Sequence, residues 1–438
     1  MSGMSPEQPF LTSREFTESD GTDDWRALGR TAAAWFVTDS TSASAMLARK
    51  VAEAAEATGR PVPDLDLRAT GLQVRLARQE RGFEPGTLDL ARAVSAAARA
   101  LGFRADPRVV QDVQLTFDAT DAAAVMPFWV AALGYEPEGE EDTVDPWRRH
   151  PPIWWQDMDV PRPLRNRIHL DSVAPQPVAT AALEAVRGLG ASSVAEHGYY
   201  ATVADPEGNE VDLLPLPEGA DRWPGTGTED WRLVFSAMAC YPTPTTQHAL
   251  ELAEEAARFP DEAELPLSVD LRPGLVVLDS GKDLWEMREG YEALAARVQA
   301  RAREMGLEAD VDLPRFVQVG IDAVDIPAVR RFWKVALGYV EDPREEVTDL
   351  VDPRRLNPVF FLQDLDEDDE ARRAQRNRIH VDVYLPHDVA LERVAAAVEA
   401  GGRVVHDHDP FWWTVADPEG NEVDLSVVVG REEAWGDG

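Results

Sequence analysis

Twelve residues, TVADPEGNEVDL, occur twice without a change, at Thr202–Leu213 and Thr414–Leu425, 212 residues apart. Chance does not supply such a match, so the chain is a duplication and its fold must be built from two similar halves. RNRIH ends at His169 and again at His380, and Phe128-Trp129 with Leu133-Gly134-Tyr135 returns as Phe332-Trp333 with Leu337-Gly338-Tyr339. Asp24-Trp25 and Asp230-Trp231 carry the repeat into the N-terminal part of each half. A unit of roughly half of 438 residues is much longer than the about 20–50 residues of a solenoid repeat, so each half holds domains of its own.

Composition narrows the function classes. The 43 basic and 80 acidic residues leave a net charge of −37, a field that repels a phosphate backbone and argues against nucleic-acid binding. No apolar run approaches the roughly 18 residues of a membrane span. Cys240, the single cysteine, makes neither an internal disulfide nor a thiolate cluster, and the N-terminus lacks a signal-peptide pattern, so the cytoplasm is the expected location.

Each half changes character along its length. An Ala-rich stretch from Trp25 to Gly102 has helical periodicity over Ala43 to Ala57 and Leu88 to Leu101, with strand-like alternation over Gly71 to Leu76 between them. Its counterpart from Trp231 to Gly306 has helices over Gln247 to Arg258 and Lys282 to Met305, around a strand at Gly274 to Leu278. The second part of each half begins with a strand, Val113 to Phe117 or Val317 to Ile321, followed by a helix that Gly134 or Gly338 ends. Three more strands follow: Ile153 to Gln156, Ile168 to Asp171 and Glu210 to Leu213, repeated as Val359 to Gln363, Ile379 to Val383 and Glu422 to Leu425. Further helices are expected near Val178 to Leu189 and Val389 to Ala400, and the first twenty residues read as a mobile tail. The expected organisation is α+β, with small modules at 21–106 and 228–310 and strand-rich modules at 110–217 and 314–430.

Alternation along the strands sorts their side chains by face. Val113, Leu115, Phe117, Ile168, Leu170, Val211 and Leu213 share the apolar side, leaving Gln114, His169, Asp171, Glu210 and Asp212 opposite. The second copy places Gln318, His380, Asp382, Glu422 and Asp424 in the same way. A merely wet face needs no aromatics, whereas Trp154, Trp155, Phe360, Phe361, Trp412 and Trp413 lie in or beside these strands, as in a concave ligand pocket.

The order strand, helix ending FW(x)3LGY, three strands and a final DPEGNEVDL resembles the glyoxalase and bleomycin-resistance group, the vicinal oxygen chelate superfamily. The resemblance implies two paired βαβββ modules forming a bowl-shaped mixed sheet with a divalent metal in it. Carried over, the metal ligands fall on Gln114, His169, Asp212, Gln318, His380 and Asp424. The first-strand ligand crosses in such pairs, so the sets become Gln114 with His380 and Asp424, and Gln318 with His169 and Asp212. Asp stands where metal-binding relatives usually carry Glu, which leaves both a metal-dependent form, with one or two divalent transition-metal ions, and a metal-free form open. The N-terminal modules resemble pterin-4a-carbinolamine dehydratases through Pro61, Pro85, Gly86, Asp89 and Ala91, but lack the histidines that dehydration uses, and so read as scaffold, dimerisation surface or pocket lid.

These resemblances imply a small-molecule enzyme catalysing an isomerase, lyase or cyclase step. Glu210, Glu422, Asp171 or Asp382 would move protons beside a metal, or His169 and His380 would serve as acid and base without one. The alternatives are a non-catalytic binder that sequesters a drug or metabolite, and a residual pterin dehydratase. Arg167 and Arg378 are candidates to clamp a substrate anion, although pairing of these strand-flanking arginines and of Arg165 and Arg376 with nearby acids is the simpler reading. His406 to Asp409 reads as a solvated turn and Asp364 to Glu370 as an exposed acidic loop. Beyond a small-molecule ligand no partner is expected, whether nucleic acid or membrane, and the chain is read as a monomer or a homodimer.

Overall fold

The structure is a computed structural model describing residues 10–79 and 81–435. Among these residues no helix is long and apolar enough to cross a membrane. Three mixed α/β layers result, and each contains strands from both halves.

The N-terminal modules join into one nine-stranded sheet. Its centre is an antiparallel pair, Asp64–Arg68 against Ser268–Arg272, in which Asp66 lies opposite Asp270. Helices Thr41–Ala57, Thr87–Ala100, Thr246–Ala263 and Tyr291–Glu304 cover one face, burying among others Leu47, Val51, Val94, Leu252 and Val298 against Leu65, Leu72, Val269 and Leu278. The other face carries charge. Arg68 donates to Asp270 at 2.6 Å and Arg272 to Asp66 at 2.6 Å, a reciprocal pair across the duplication axis. Arg149 adds bonds of 2.9 Å to both Asp270 and Asp279. These charges tolerate burial because each is paired and hydrogen-bonded.

The strand-rich parts differ from the expectation of one βαβββ module per half and a single bowl. Each contains two such motifs. In the first half these are Asp112–Ala119 through Ile153–Asp157, then Ile168–Val173 through Glu210–Leu214, each with its own helix, Ala122–Leu133 or Gln176–Gly188. The motifs then exchange partners. Ile168–Val173 pairs antiparallel with Phe316–Ala323, and Ile379–Tyr384 pairs antiparallel with Asp112–Ala119, giving two eight-stranded sheets each drawn half from either copy. One core serves both sheets, with Phe128, Trp129, Phe332 and Trp333 from the helices buried against Phe117, Ile168, Ile321 and Ile379.

Two helical expectations change as well. The helix read over Lys282 to Met305 is two, Leu284–Met287 and Tyr291–Glu304, separated at Gly290, whose φ of +103° an L side chain rarely adopts. Within the expected tail, residues 10–20 are ordered: Ser13–Thr17 is a helix with a Thr12–Glu15 capping box, and Phe16 is fully buried against Phe83. Residues 1–9 lie outside the described residues. The dehydratase resemblance finds no support. The charged face of the two N-terminal modules contacts the strand-rich parts, with Arg68 donating to the Arg354 carbonyl and Arg149 to Asp270.

Candidate functional site

The repeated DPEGN turn is mainly a fastener. Asp205 accepts from Trp129 Nε1 at 2.8 Å, and Asp417 from Trp333 Nε1 at 3.0 Å. Glu207 and Glu419 accept the backbone N–H groups at the start of the helices, Thr120 and Asp121 in one copy and Val324 and Asp325 in the other. Arg378 donates to Asn209 at 2.8 Å and Arg167 to Asn421 at 2.9 Å, so each arginine reaches the turn of the opposite half. Both arginines are 1% exposed, which corrects their reading as substrate clamps: they pin the two copies together. Because the strand beyond each pin begins at Ile168 or Ile379, the same fastening aims His169 and His380 onto the helix-free faces.

On those faces the sheet register assembles two clusters. In the His380 sheet one row runs His406, Thr414, Asp424, Asp382, Gln114 across five neighbouring strands. His380 Nε2 lies 3.6 Å from Asp382 Oδ1 and 3.9 Å from Asp424 Oδ2. Gln114 Nε2 donates to Asp382 Oδ2 at 3.1 Å and Thr116 Oγ1 to the same oxygen at 2.6 Å. The other sheet aligns Thr202, Asp212, Asp171 and Gln318. His169 Nε2 is 3.8 Å from Asp171 Oδ1, and Gln318 Nε2 donates to Asp171 Oδ2 at 2.7 Å. Each cluster thus takes its glutamine from one half and its histidine and carboxylates from the other.

Burial raises the carboxyl of Asp382 to about 6, the charge of Asp424 adding to it and His380, Thr116 and Gln114 opposing. Asp171 is raised to about 6 by burial and by Asp212, against His169 and Gln318. The donor chemistry suits a divalent cation. His169, Asp171 and Asp212, and likewise His380, Asp382 and Asp424, bring one ligand atom each within 4.8 Å of one another. Buried oxygens also stand without a hydrogen-bond partner at Asp171 Oδ1, Asp212 Oδ1, Asp424 Oδ1 and Gln318 Oε1, and a cation would satisfy them.

The remaining candidates divide. Trp154 lies beside Thr116 and Phe361 beside Gly320 on the open faces, and Trp412 is on the row next to the His380 cluster. Trp155, Phe360 and Trp413 are core residues instead, because the neighbour of an outward strand residue points inward: Trp155 sits on Phe117, and Phe360 stacks on Trp333. Glu210 is tied to Arg165 at 2.6 Å and Glu422 to Arg376 at 2.8 Å, which leaves them poor proton shuttles. His406 and His408 are on an exposed edge strand, Arg403–His408, rather than a turn, with His408 against Trp412. Cys240 packs among Val234, Met238 and Val277. Strand alternation already puts Thr116 on the face of Gln114, whereas sequence reading passed over Asp118 and Asp322. The last two are buried, held by Arg162 and Gln156 or by Arg372 and Gln363, and lie on the same faces as the histidines.

A family profile described as a glyoxalase-like domain matches residues 114–214 and 318–426. No curated protein matches the chain. Among solved structures, two single-substitution mutants of glyoxalase I from Zea mays are similar at 12% identity and a TM-score of 0.37, over 74% of this chain and 95% or 96% of theirs. The CppA protein from Streptococcus pneumoniae is similar at 8% identity and a TM-score of 0.32, over 73% of this chain and 99% of that one. The profile thus matches one stretch in each half of the duplication.

Proposed function

We propose that the protein is a small-molecule enzyme of the vicinal oxygen chelate type, working on the helix-free face of an exchanged glyoxalase-like sheet. The observation that carries this reading is the convergence of His380, Asp382, Asp424 and Gln114 from two halves of the chain, matched by His169, Asp171, Asp212 and Gln318. Structural ion pairs explain burial of opposite charges, but not two carboxylates turned toward each other beside a histidine, with oxygens left unsatisfied.

His380, Asp424 and the Gln114 carbonyl, or their counterparts, would hold a divalent metal. Bound there, such an ion supplies Lewis-acid polarisation of a substrate oxygen. The chain's own residues do the rest. Asp382, with its carboxyl near 6, is poised to take a proton from carbon or oxygen at neutral pH and to return it elsewhere on the same molecule, the exchange an isomerase or lyase needs. Gln114 and Thr116 both donate to one Asp382 oxygen and so aim the other toward the ligand. Trp154 and Trp412 supply flat apolar contact that excludes water.

A second reading, ligand sequestration without turnover, is favoured by one feature: Tyr384, Trp412 and Trp435 gather around Arg431 at 5.8, 5.7 and 5.3 Å, an aromatic rim that suits a flat ligand. The test is to incubate protein and Co2+, Ni2+ or Zn2+ with a set of α-hydroxycarbonyl and catechol compounds and follow them by mass spectrometry. A new isomer or cleavage product that His380→Ala abolishes supports the enzyme. A compound retained by the protein and recovered unchanged supports sequestration.

A further inference from the structure

The two clusters descend from one repeat, yet their surroundings differ at matched positions. Next to the Asp424, Asp382, Gln114 row, the His380 sheet carries Trp412, Ser426, Tyr384 and Asp112. The matching row of the His169 sheet holds Leu214, Val173 and Phe316. These apolar residues join Val234, Met238, Cys240 and Val277 of the central sheet in one cluster, with Tyr200 and Phe235 against it. The mouth beside His169 is thus filled by side chains. In the His380 sheet, in contrast, a cavity of about 650 Å3 beneath the central sheet is lined by Asp112, Gln114 and Tyr384, meets the cluster at Gln114, and extends to Arg75 and Arg78. The cavity on the opposite side, about 350 Å3, reaches Phe316 and Val317 and stops short of Gln318.

The clusters themselves differ at one further position. Thr116 donates to Asp382 Oδ2, whereas its counterpart Gly320 has no side-chain donor, and the filled surroundings of the His169 cluster leave Asp171 Oδ1, Asp212 Oδ1 and Gln318 Oε1 buried without partners, against Asp424 Oδ1 alone in the His380 cluster. A Cβ at position 320 would collide with the His169 ring, which lies over that bare backbone and edge-on to Phe361 at 5.5 Å. His380 Nε2 consequently comes within 4.0 Å of both carboxylates of its cluster, and His169 Nε2 of Asp171 alone.

Building on the ligand-site reading, we infer that the two clusters are unequal: the one containing His380 is the working site, with its ligand in the cavity beneath the central sheet, and the one containing His169 is a closed copy. The cavity is of the size that holds a small organic ligand. Its wall mixes Arg30, Arg75 and Arg78 with Asp112, Glu136 and Glu138, so it suits a polar molecule that presents an oxygen donor to the cluster at Gln114.

Two experiments test the inequality independently. Gln114→Cys and Gln318→Cys place matched thiols in the two sites, while Cys240, 1% exposed, stays silent. Labelling of the folded protein with a small methanethiosulfonate reagent should be at least about tenfold faster at position 114, because thiol reaction follows access. Equal rates, or faster labelling at 318, would overturn the proposal. Co2+ titration followed by its visible absorption should show one tight equivalent per chain, lost in His380→Ala and kept in His169→Ala. Two equal equivalents, or loss in His169→Ala, would contradict it. If neither site takes up Co2+ but labelling stays selective for position 114, the metal reading fails and the inequality stands.

Discussion

Replacing Asp382 by Asn should stabilise the metal-free protein at neutral pH, because the site is built at the expense of the fold. The Asp382 carboxyl rises from 3.8 to about 6 in the folded chain, chiefly because it is buried. For an acid with a raised folded pKa, the favourable contribution is complete below about pH 4 and is lost as pH rises through about 6. The shift of roughly 2 units corresponds to about 3 kcal/mol at pH 7.5, at about 1.4 kcal/mol per unit. Asn escapes this cost and keeps an oxygen for the bonds from Thr116 and Gln114. Unfolding in urea with a chelator present, at pH 7.5 and at pH 4.5, measures the effect: the variant should be more stable by about 1–3 kcal/mol at pH 7.5, with the advantage shrinking at pH 4.5. A variant less stable at pH 7.5, or a difference independent of pH, would refute the reasoning.

Other substitutions separate site from scaffold. Trp154→Ala should leave the urea midpoint nearly unchanged, whereas Trp155→Ala should cost about 3–5 kcal/mol of stability by opening the core against Phe117. Asn421→Ala removes the acceptor for the buried Arg167 Nε and should cost about 1–3 kcal/mol in the same assay. Asp270 behaves oppositely to Asp382: burial pushes its carboxyl up, but Arg68, Arg149 and Arg272 hold it well below the usual range. Its contribution is therefore present above about pH 4 and lost as pH falls further. Asp270→Asn should lower the thermal midpoint at pH 7 and flatten its fall in acid.

The duplication and the parity of the strands made much of this legible in advance. His169, Asp171 and Asp212 share a face with Gln318, and His380, Asp382 and Asp424 with Gln114, because alternation is local. The second βαβββ motif in each half was harder to see because its outer strands are polar. Ser193–Glu196 and Arg403–His408 are exposed along their whole length and carry no apolar alternation to mark them. Trp155 and Phe360 belong to the core while their neighbours Trp154 and Phe361 face outward, because adjacent residues on a strand face opposite ways. The role of Arg167 and Arg378 is not local: each is satisfied by an asparagine from the other half, a pairing that no sequence window contains. The cavity beside Gln114 likewise depends on how the central sheet sits over the His380 sheet.

The most direct measurement is the metal content per chain of protein purified without chelator or histidine tag, by plasma mass spectrometry, for wild type, His380→Ala and His169→Ala. The account predicts close to one divalent transition-metal ion per chain, absent from His380→Ala and retained by His169→Ala. Wild-type protein without metal, and taking up none on addition, would contradict it.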